Sequence, residues 1–282
     1  MELEVIVGRL VEALVKVDSM TETQRESRSG SGAYIQCVGT LWEDDFTKQA
    51  LIQWNEARPN DFSGFSESWV EVKYPTRRGK CDLCIRSSDY DPGIGEPAFE
   101  WAIEMKYVRF IGDNGKNNDY GVTNVASPYR KDSSSVLDAE RLLEFNLAKR
   151  KAIVMYGFEF DSASHDHAVH WCETVSDAAE RAKNMDRAKN MKSVLHKEDP
   201  DSHNMSMLDL VPLFQAAVGV RDIQLSEVQH KAFDGLMRHP LYRKGRILAW
   251  EVQTPKDSAA PYLGTAILIL SLGLVVSLLL LR

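Results

Sequence analysis

The sequence predicts a mixed α/β domain in which a central sheet is flanked by helices. Two short apolar segments, 79–85 and 101–108, have the β-branched and aromatic composition of strands. Residues 89–97 between them are rich in proline, glycine and carboxylates, which is the composition of a connecting loop. A helical pattern then precedes a nearly continuous apolar segment at 151–161, as expected for a strand covered on both faces.

Two helices and one strand are predicted ahead of this hairpin. Apolar residues recur at three- and four-residue steps over 2–17, which indicates an amphipathic helix. A second helix is predicted over 41–57, where Thr40 can cap the start and Pro59 ends the pattern. Residues 67–74 alternate in polarity and predict the first strand of the sheet.

After the hairpin, serines at 133–135 can cap a helix that runs to about residue 149. Its predicted buried stripe consists of Val136, Leu137, Leu143 and Leu147. Residues 1–161 are therefore predicted to form the α/β core. Residues 162–260 are predicted to form a mainly helical accessory region, with a helix over 226–237 and a last strand over 246–252.

Length, charge and cysteine content limit the class of protein. The chain has 282 residues, of which 44% are hydrophobic, so it can bury one sizeable core and a small second module. A net charge of −7 argues against long-range capture of DNA, although a local basic patch can still bind it. Four cysteines are too few for a disulfide scaffold and fit a reducing compartment.

Three charged residues of the predicted hairpin carry the functional prediction: Asp82, Glu104 and Lys106. Because side chains alternate between the faces of a strand, Glu104 and Lys106 share one face while Ile103 and Met105 share the other. If the two strands pair, Asp82 can lie across from Glu104 on the same face. The alternative is an ordinary solvated strand face on which Glu104 and Lys106 pair with each other.

Two carboxylates and a lysine are suited to metal-assisted hydrolysis of a phosphate ester. A hard cation such as Mg²⁺ takes one or two carboxylates from a protein and leaves its other positions for water and phosphate oxygens. A lysine beside it can position or activate the attacking water and offset the charge that grows on the phosphoryl oxygens. The pattern therefore predicts Asp82 and Glu104 as ligands of Mg²⁺ or Mn²⁺, with Lys106 as the third catalytic residue.

This Asp…Glu-x-Lys arrangement on two neighbouring strands, followed by a helix and a further strand, resembles the PD-(D/E)XK nuclease superfamily over roughly residues 41–161. The resemblance implies a restriction-endonuclease-like fold and a metal-dependent nuclease. It also makes DNA the first-choice substrate, with a restriction or defence type of endonuclease as the expected activity. Where the family pattern often has a proline before the first aspartate, this chain has Cys81.

Further residues are candidates for metal or substrate contacts. In nucleases of this superfamily an acidic residue from a helix ahead of the sheet often completes the metal site, and Glu43 is the best match. An acidic first helical turn with no further role is the alternative for Glu43. Basic residues near the predicted site can contact phosphates, although such residues are usually just solvated. These residues are Arg77, Arg78, Lys80, Arg130 and Lys131. The sequence leaves the oligomeric state open, including a homodimer.

The C-terminal segment 262–281 predicts a transmembrane helix. It contains no charged residue, and twenty residues at helical rise cover about 30 Å, the hydrocarbon thickness of a bilayer. Residues 238–256 carry five Lys or Arg against one carboxylate, which predicts a single-pass protein with the N-terminal domain in the cytoplasm. The alternatives are a buried hydrophobic helix and a tail that is read out of frame in a damaged gene.

Two other functional classes remain open from the sequence. One is a non-catalytic, membrane-anchored interaction or sensing module that uses a nuclease-like fold for binding. The other is a membrane protein whose soluble part is an unrelated α/β domain, in which Asp82 and Glu104 lie on opposite faces. The distance between the two carboxyl groups separates the last class from the others.

Overall fold

The computed structural model describes residues 1–21, 35–75, 79–118, 122, 125, 127–129, 134–196 and 205–253. The helices in this part of the chain are α1 (Leu3–Met20), α2 (Glu43–Ala57), α3 (Ser135–Glu144), α4 (Ser162–Thr174), α5 (Ala178–Leu195) and α6 (Leu210–Gly219). The strands are β1 (Val70–Lys73), β2 (Lys80–Ile85), β3 (Phe99–Val108), β4 (Ala148–Phe158), β5 (Gln224–Leu225), β6 (Gln229–Phe233) and β7 (Gly245–Gln253).

The strands form one mixed, mostly antiparallel sheet of seven strands, which confirms the predicted sheet flanked by helices. The order is β1-β2-β3-β4-β7-β5, and β6 also pairs with β7. Strands β2 and β3 form the predicted antiparallel hairpin. Strands β3 and β4 pair in parallel, because the chain between them crosses back through α3.

Helices cover both faces of the sheet. On one face α1 and α2 bury residues such as Leu10 and Phe46 against Met105 and Tyr156. On the other face α3 and α6 build a second core, which contains Val136, Leu142, Phe214, Met155 and Trp250. Strand β4 lies between these layers, and its second half is buried at every residue. This double coverage explains why its sequence is almost continuously apolar.

Several predicted boundaries and one predicted element differ from the structure. Helix α2 begins at Glu43 without a side-chain cap, and Thr40 lies in a separate 3-10 turn, Val38–Thr40. Helix α3 ends at Glu144 instead of about residue 149. The predicted helix at 226–237 is wrong, because β6 occupies its centre. The apolar residues there are four apart as in a helix, but backbone pairing with β7 decides the conformation.

The chain after Asp161 contributes both helices and strands. Strands β5, β6 and β7 come from this region, and β7 pairs with β4 over seven residue pairs. Residues 1–161 and the later region therefore share one sheet. Among the described residues, no helix combines the length and apolarity needed to cross a bilayer. The predicted membrane helix at 262–281 lies outside the described residues.

Gly157 lies where three strands meet, and its replacement by Ala should destabilise the fold. A Cβ there would overlap the carbonyl oxygen of Val108 on β3 and lie 2.6 Å from Sδ of Met207. Because close-packed backbone cannot move away cheaply, we expect the free energy of unfolding to fall by about 1–3 kcal/mol. Urea denaturation measures this change. Gly219→Ala is the matched control, since its Cβ would meet no atom within 4 Å. Equal stability of the two variants would contradict the prediction.

Candidate active site

The candidate site lies where β2 separates from β3. The last residue pair of β2 and β3 is Leu83 with Ile103. Asp82 and Glu104 are the next residues on their strands. The amide N–H of Met105 donates to Oδ2 of Asp82 at 2.7 Å, so a side chain replaces the main chain of β2 as its partner. The two strands open at this point, and the Asp82 carboxylate fills the opening.

Glu104 is buried directly beside Asp82, with 2% of its surface exposed. The hydroxyl of Tyr74, which follows β1, donates to Oε1 of Glu104 at 2.6 Å. The carboxyl groups of Asp82 and Glu104 are close enough for each to shift the pKa of the other. The alternative in which these two residues lie on opposite faces of the sheet is therefore wrong.

Lys106 is held by carboxylates from helices on both faces of the sheet. Its Nζ lies 3.1 Å from Oε1 of Glu43, the first residue of α2. It also lies 3.2 Å from Oδ2 of Asp138 on α3, as an ion pair and not as an aligned hydrogen bond. The other oxygen of Glu43 accepts the amide N–H of Tyr107 at 2.6 Å. Glu43 therefore contacts Lys106 of the predicted triad. It does more than place an acidic residue in the first turn of α2.

Asp138 and Arg141 on α3 belong to the site, although the sequence-based prediction did not include them. Asp138 is 2% exposed and forms an ion pair with Arg141, one helical turn further on. Nη2 of Arg141 also lies 3.7 Å from Oε1 of Glu104. The sequence feature that could have identified Asp138 is a carboxylate among the apolar residues on the buried face of a predicted helix. The buried face actually contains Ala139 and Leu142, whereas the predicted stripe was rotated away from Asp138.

Burial raises the pKa of each carboxyl group at the opening. For Asp82 burial outweighs the lowering effects of the hydrogen bond with Glu104 and the charge of Lys106. For Glu104 burial and the neighbouring charge of Asp82 both raise the pKa. Burial also raises the pKa of Glu43, against the opposing effect of Lys106. Two carboxylates this close do not both ionise cheaply, and a shared proton or a bound cation would relieve the repulsion between Asp82 and Glu104.

Lys106 remains positively charged in this environment. Burial by itself lowers the pKa of its ammonium group, but the charges of Glu43, Asp138 and Asp82 outweigh burial and raise the pKa. A lysine with this pKa is protonated at neutral pH. It can therefore donate hydrogen bonds and positive charge to an anionic group, but it cannot accept a proton.

The site has an excess of negative charge that matches a divalent cation. Its carboxylates are Glu43, Asp82, Glu104 and Asp138, and its cations are Lys106 and Arg141. If all are ionised, two negative charges remain uncompensated. Within the described chain no three His, Cys, Asp or Glu side chains converge as a complete metal cage. The donor set instead offers the Asp82–Glu104 pair, which is the number of carboxylates that Mg²⁺ commonly takes.

Only one of the five predicted nucleic-acid contacts, Lys80, lies among the described residues. Lys80 is exposed at the start of β2, and its Nζ pairs with Oε1 of Glu71 at 2.9 Å. This contact directs Lys80 to β1 and not to the carboxyl groups of the site. The other four predicted contacts, Arg77, Arg78, Arg130 and Lys131, lie outside the described residues.

Comparison with known proteins does not add to this geometry. No protein-family model matches the chain, and no solved structure is significantly similar to it. Any assignment of function therefore depends on the residues of the site.

Proposed function

We propose that this protein is a divalent-cation-dependent nuclease of the PD-(D/E)XK type, with DNA as the first-choice substrate. The observation that carries the proposal is the contact between Asp82 and Glu104 at the opened strand pair, with the Lys106 ammonium held beside it. The helix α3 and strand β4 that follow the hairpin are consistent with a restriction-endonuclease-like fold.

The carboxylates of Asp82 and Glu104 would hold Mg²⁺ or Mn²⁺. When bound, such an ion polarises a phosphoryl oxygen and makes a coordinated water more acidic. Hydrogen bonds within the protein fix the orientation of both ligands, since Met105 N–H holds Asp82 and the Tyr74 hydroxyl holds Glu104. Preorganised ligands lose less entropy when the ion binds, so these contacts favour a defined site.

Lys106 would stabilise the negative charge of the reacting phosphate. Glu43 and Asp138 keep the ammonium group protonated and restrict its position from two sides. A charged donor already in place needs no reorganisation when charge develops on the phosphoryl oxygens. Lys106 also can orient the attacking water by a hydrogen bond, but it does not deprotonate that water.

A nuclease assay tests the proposal. Plasmid, single-stranded DNA and RNA are incubated with the full chain in Mg²⁺, in Mn²⁺ and in a chelator. We expect cleavage of at least one substrate that depends on the divalent ion. Failure of a folded protein to cleave any of the three in either ion would reject the proposal.

A non-catalytic binding module on the same fold is the second candidate. The observation that favours it is that the ammonium group of Lys106 already forms ion pairs with both Glu43 and Asp138. Titration with Mg²⁺ separates the two functions. A site that binds no divalent ion at millimolar concentration supports the binding module.

Membrane attachment through residues 262–281 is also part of the proposal. Its support is the uncharged apolar sequence of that segment and the positive charges that precede it. Such a tether would hold the nuclease domain at the cytoplasmic face of a membrane. Recovery of the full chain in the soluble fraction after cell lysis, without detergent, would reject it.

Tyr74→Phe should weaken metal binding. The substitution removes the hydroxyl that donates to Glu104 and leaves the aromatic ring in place. Loss of such an orienting contact typically costs about 10–100-fold in metal affinity. Calorimetric titration with Mn²⁺ measures the change. Tyr90→Phe is the matched control, because its hydroxyl donates to the carbonyl of Pro97 in the hairpin loop. Unchanged affinity in Tyr74→Phe would show that the hydroxyl does not orient the ligand.

A further inference from the structure

Arg141 is the cation of the site whose donors are least occupied. Its Nη2 pairs with Asp138, but the contact with Glu104 at 3.7 Å is longer than a hydrogen bond. Its Nε is buried and has no hydrogen-bond partner among the described residues. A charged donor that is removed from water and left unpaired is costly, so the described contacts leave the guanidinium incompletely satisfied.

The side chain of Arg141 is accessible from the surface beside the carboxyl pair. About 32% of it is exposed, compared with 2% for Glu104. A group that approaches Asp82 and Glu104 from solvent can therefore reach Arg141 without a change of fold. The planar guanidinium carries N–H groups on Nη1 and Nη2, which form a fork that fits two oxygens of one phosphate.

Gly79, the residue directly before β2, lies close to Arg141. A Cβ at Gly79 would lie 4.0 Å from Nη1 of Arg141, so the backbone at Gly79 and the guanidinium are near neighbours. The sequence around Gly79, PTRRGK at 75–80, is basic. Arg141 thus lies beside the residue at which β2 begins, and an anionic backbone is the complementary partner of its guanidinium.

We propose that Arg141 binds a phosphate oxygen of the nucleic-acid backbone beside the Asp82–Glu104 pair. This inference rests on the proposed nuclease function and adds a substrate-binding residue from α3 to it. Asp138 then has two roles, because it contacts both the Lys106 ammonium and the Arg141 guanidinium. The alternative is that Arg141 only neutralises Asp138 and Glu104 and never contacts substrate.

The salt dependence of binding distinguishes these roles. Binding of a labelled DNA duplex is measured between 50 and 300 mM KCl, in Mg²⁺, with the full chain carrying Asp82→Asn to prevent cleavage. Each phosphate contact contributes about 0.9 to the slope of log affinity against log salt concentration. We expect Arg141→Gln to reduce the slope by about 0.9, so the affinity ratio of the two proteins changes about fivefold over this range.

Control variants separate the effect of the Arg141 charge from effects of a substitution on the fold. Arg141→Lys keeps the charge and should keep the slope while it lowers the affinity, because it lacks the fork. Arg86→Ala should leave both unchanged, since Arg86 lies four residues from Asp82 beyond the other end of β2 and donates to the carbonyl of Ala98. Binding with an unchanged slope in Arg141→Gln would overturn the role of Arg141 alone. A folded Asp82→Asn protein that binds no DNA at any salt concentration would overturn the proposed function as well.

Discussion

Asp82→Asn should abolish metal-dependent cleavage and, at the same time, leave the metal-free protein as stable as before or more stable. The substitution removes one of the two carboxylates that would hold the ion, while an amide oxygen can still accept the Met105 N–H. We expect the cleavage rate to fall at least ~100-fold, the loss typical of one essential electrostatic contact at a reacting centre. The measurement is the initial rate on the best substrate at saturating Mg²⁺.

Asp82→Asn should lose activity without losing stability, and the reason is physical. Asp82 and Glu104 are buried acids in contact, and removal of one of them relieves like-charge repulsion and a desolvation cost. The free energy of unfolding should therefore stay unchanged or rise by about 1 kcal/mol. Asp91→Asn is the control, because Asp91 is an exposed acid in the hairpin loop. A loss of activity that is accompanied by unfolding would leave no basis for a direct catalytic role of Asp82.

Lys106→Ala should also stop cleavage, but at a cost in stability. It leaves Glu43 and Asp138 without their shared cation, and broken buried ion pairs cost several kcal/mol. Asp82→Asn is therefore the cleaner test of the chemistry. Cleavage that survives both substitutions would rule out this site.

The metal-free protein should lose stability as the pH rises from 7 to 8.5. Burial raises the pKa of Glu104 in the folded state above the value of about 4.3 in the unfolded chain. A group with a raised folded pKa contributes stability that is complete below its unfolded pKa and is lost as the pH approaches the folded pKa. One proton of this kind changes the free energy of unfolding by about 1.4 kcal/mol per pH unit, which is about 2 kcal/mol over this interval.

Other titrating groups of the protein contribute less than the carboxyl pair in this pH interval. Burial lowers the pKa values of the partly buried His167 and the fully buried His239, so these imidazoles act with the opposite sign, below about pH 6.5. Burial raises the pKa of the Cys37 thiol to about 12, and an unfolded thiol is already half-ionised at about pH 8.5. Such buried cysteines add a smaller loss of stability with the same sign near the upper end of the interval. Between these limits the carboxyl pair dominates the expected slope.

Urea denaturation at three pH values between 7 and 8.5 measures the slope. Glu104→Gln should remove most of it, since the amide carries no titrating proton. Saturating Mg²⁺ should also flatten the curve, because a cation replaces the proton, and should raise stability at every pH. A metal-free protein whose stability is constant over this range, with no difference between Glu104→Gln and the unsubstituted chain, would contradict the raised pKa.

The hairpin and the relation between its charged residues could be predicted because both depend on local rules. The period of two in a strand places Glu104 and Lys106 on one face, and antiparallel pairing places Asp82 opposite Glu104. The contributions of Tyr74, Asp138 and Arg141 could not be predicted in the same way. They come from elements that are distant in sequence, and packing alone brings them to the opened strands.

The amino-acid sequence by itself determined the alternation of helices and strands around the hairpin and the three charged residues at its centre, because hydrophobic periodicity and side-chain alternation act over a few residues. Only the tertiary structure decided that β2 separates from β3 at Asp82. Likewise, it decided that Glu43 of α2 and Asp138 of α3, helices on opposite faces of the sheet, both form ion pairs with Lys106. It also decided that residues 229–233 pair as a strand with β7. These features depend on contacts between distant segments, whose burial and pairing energies outweigh local preference.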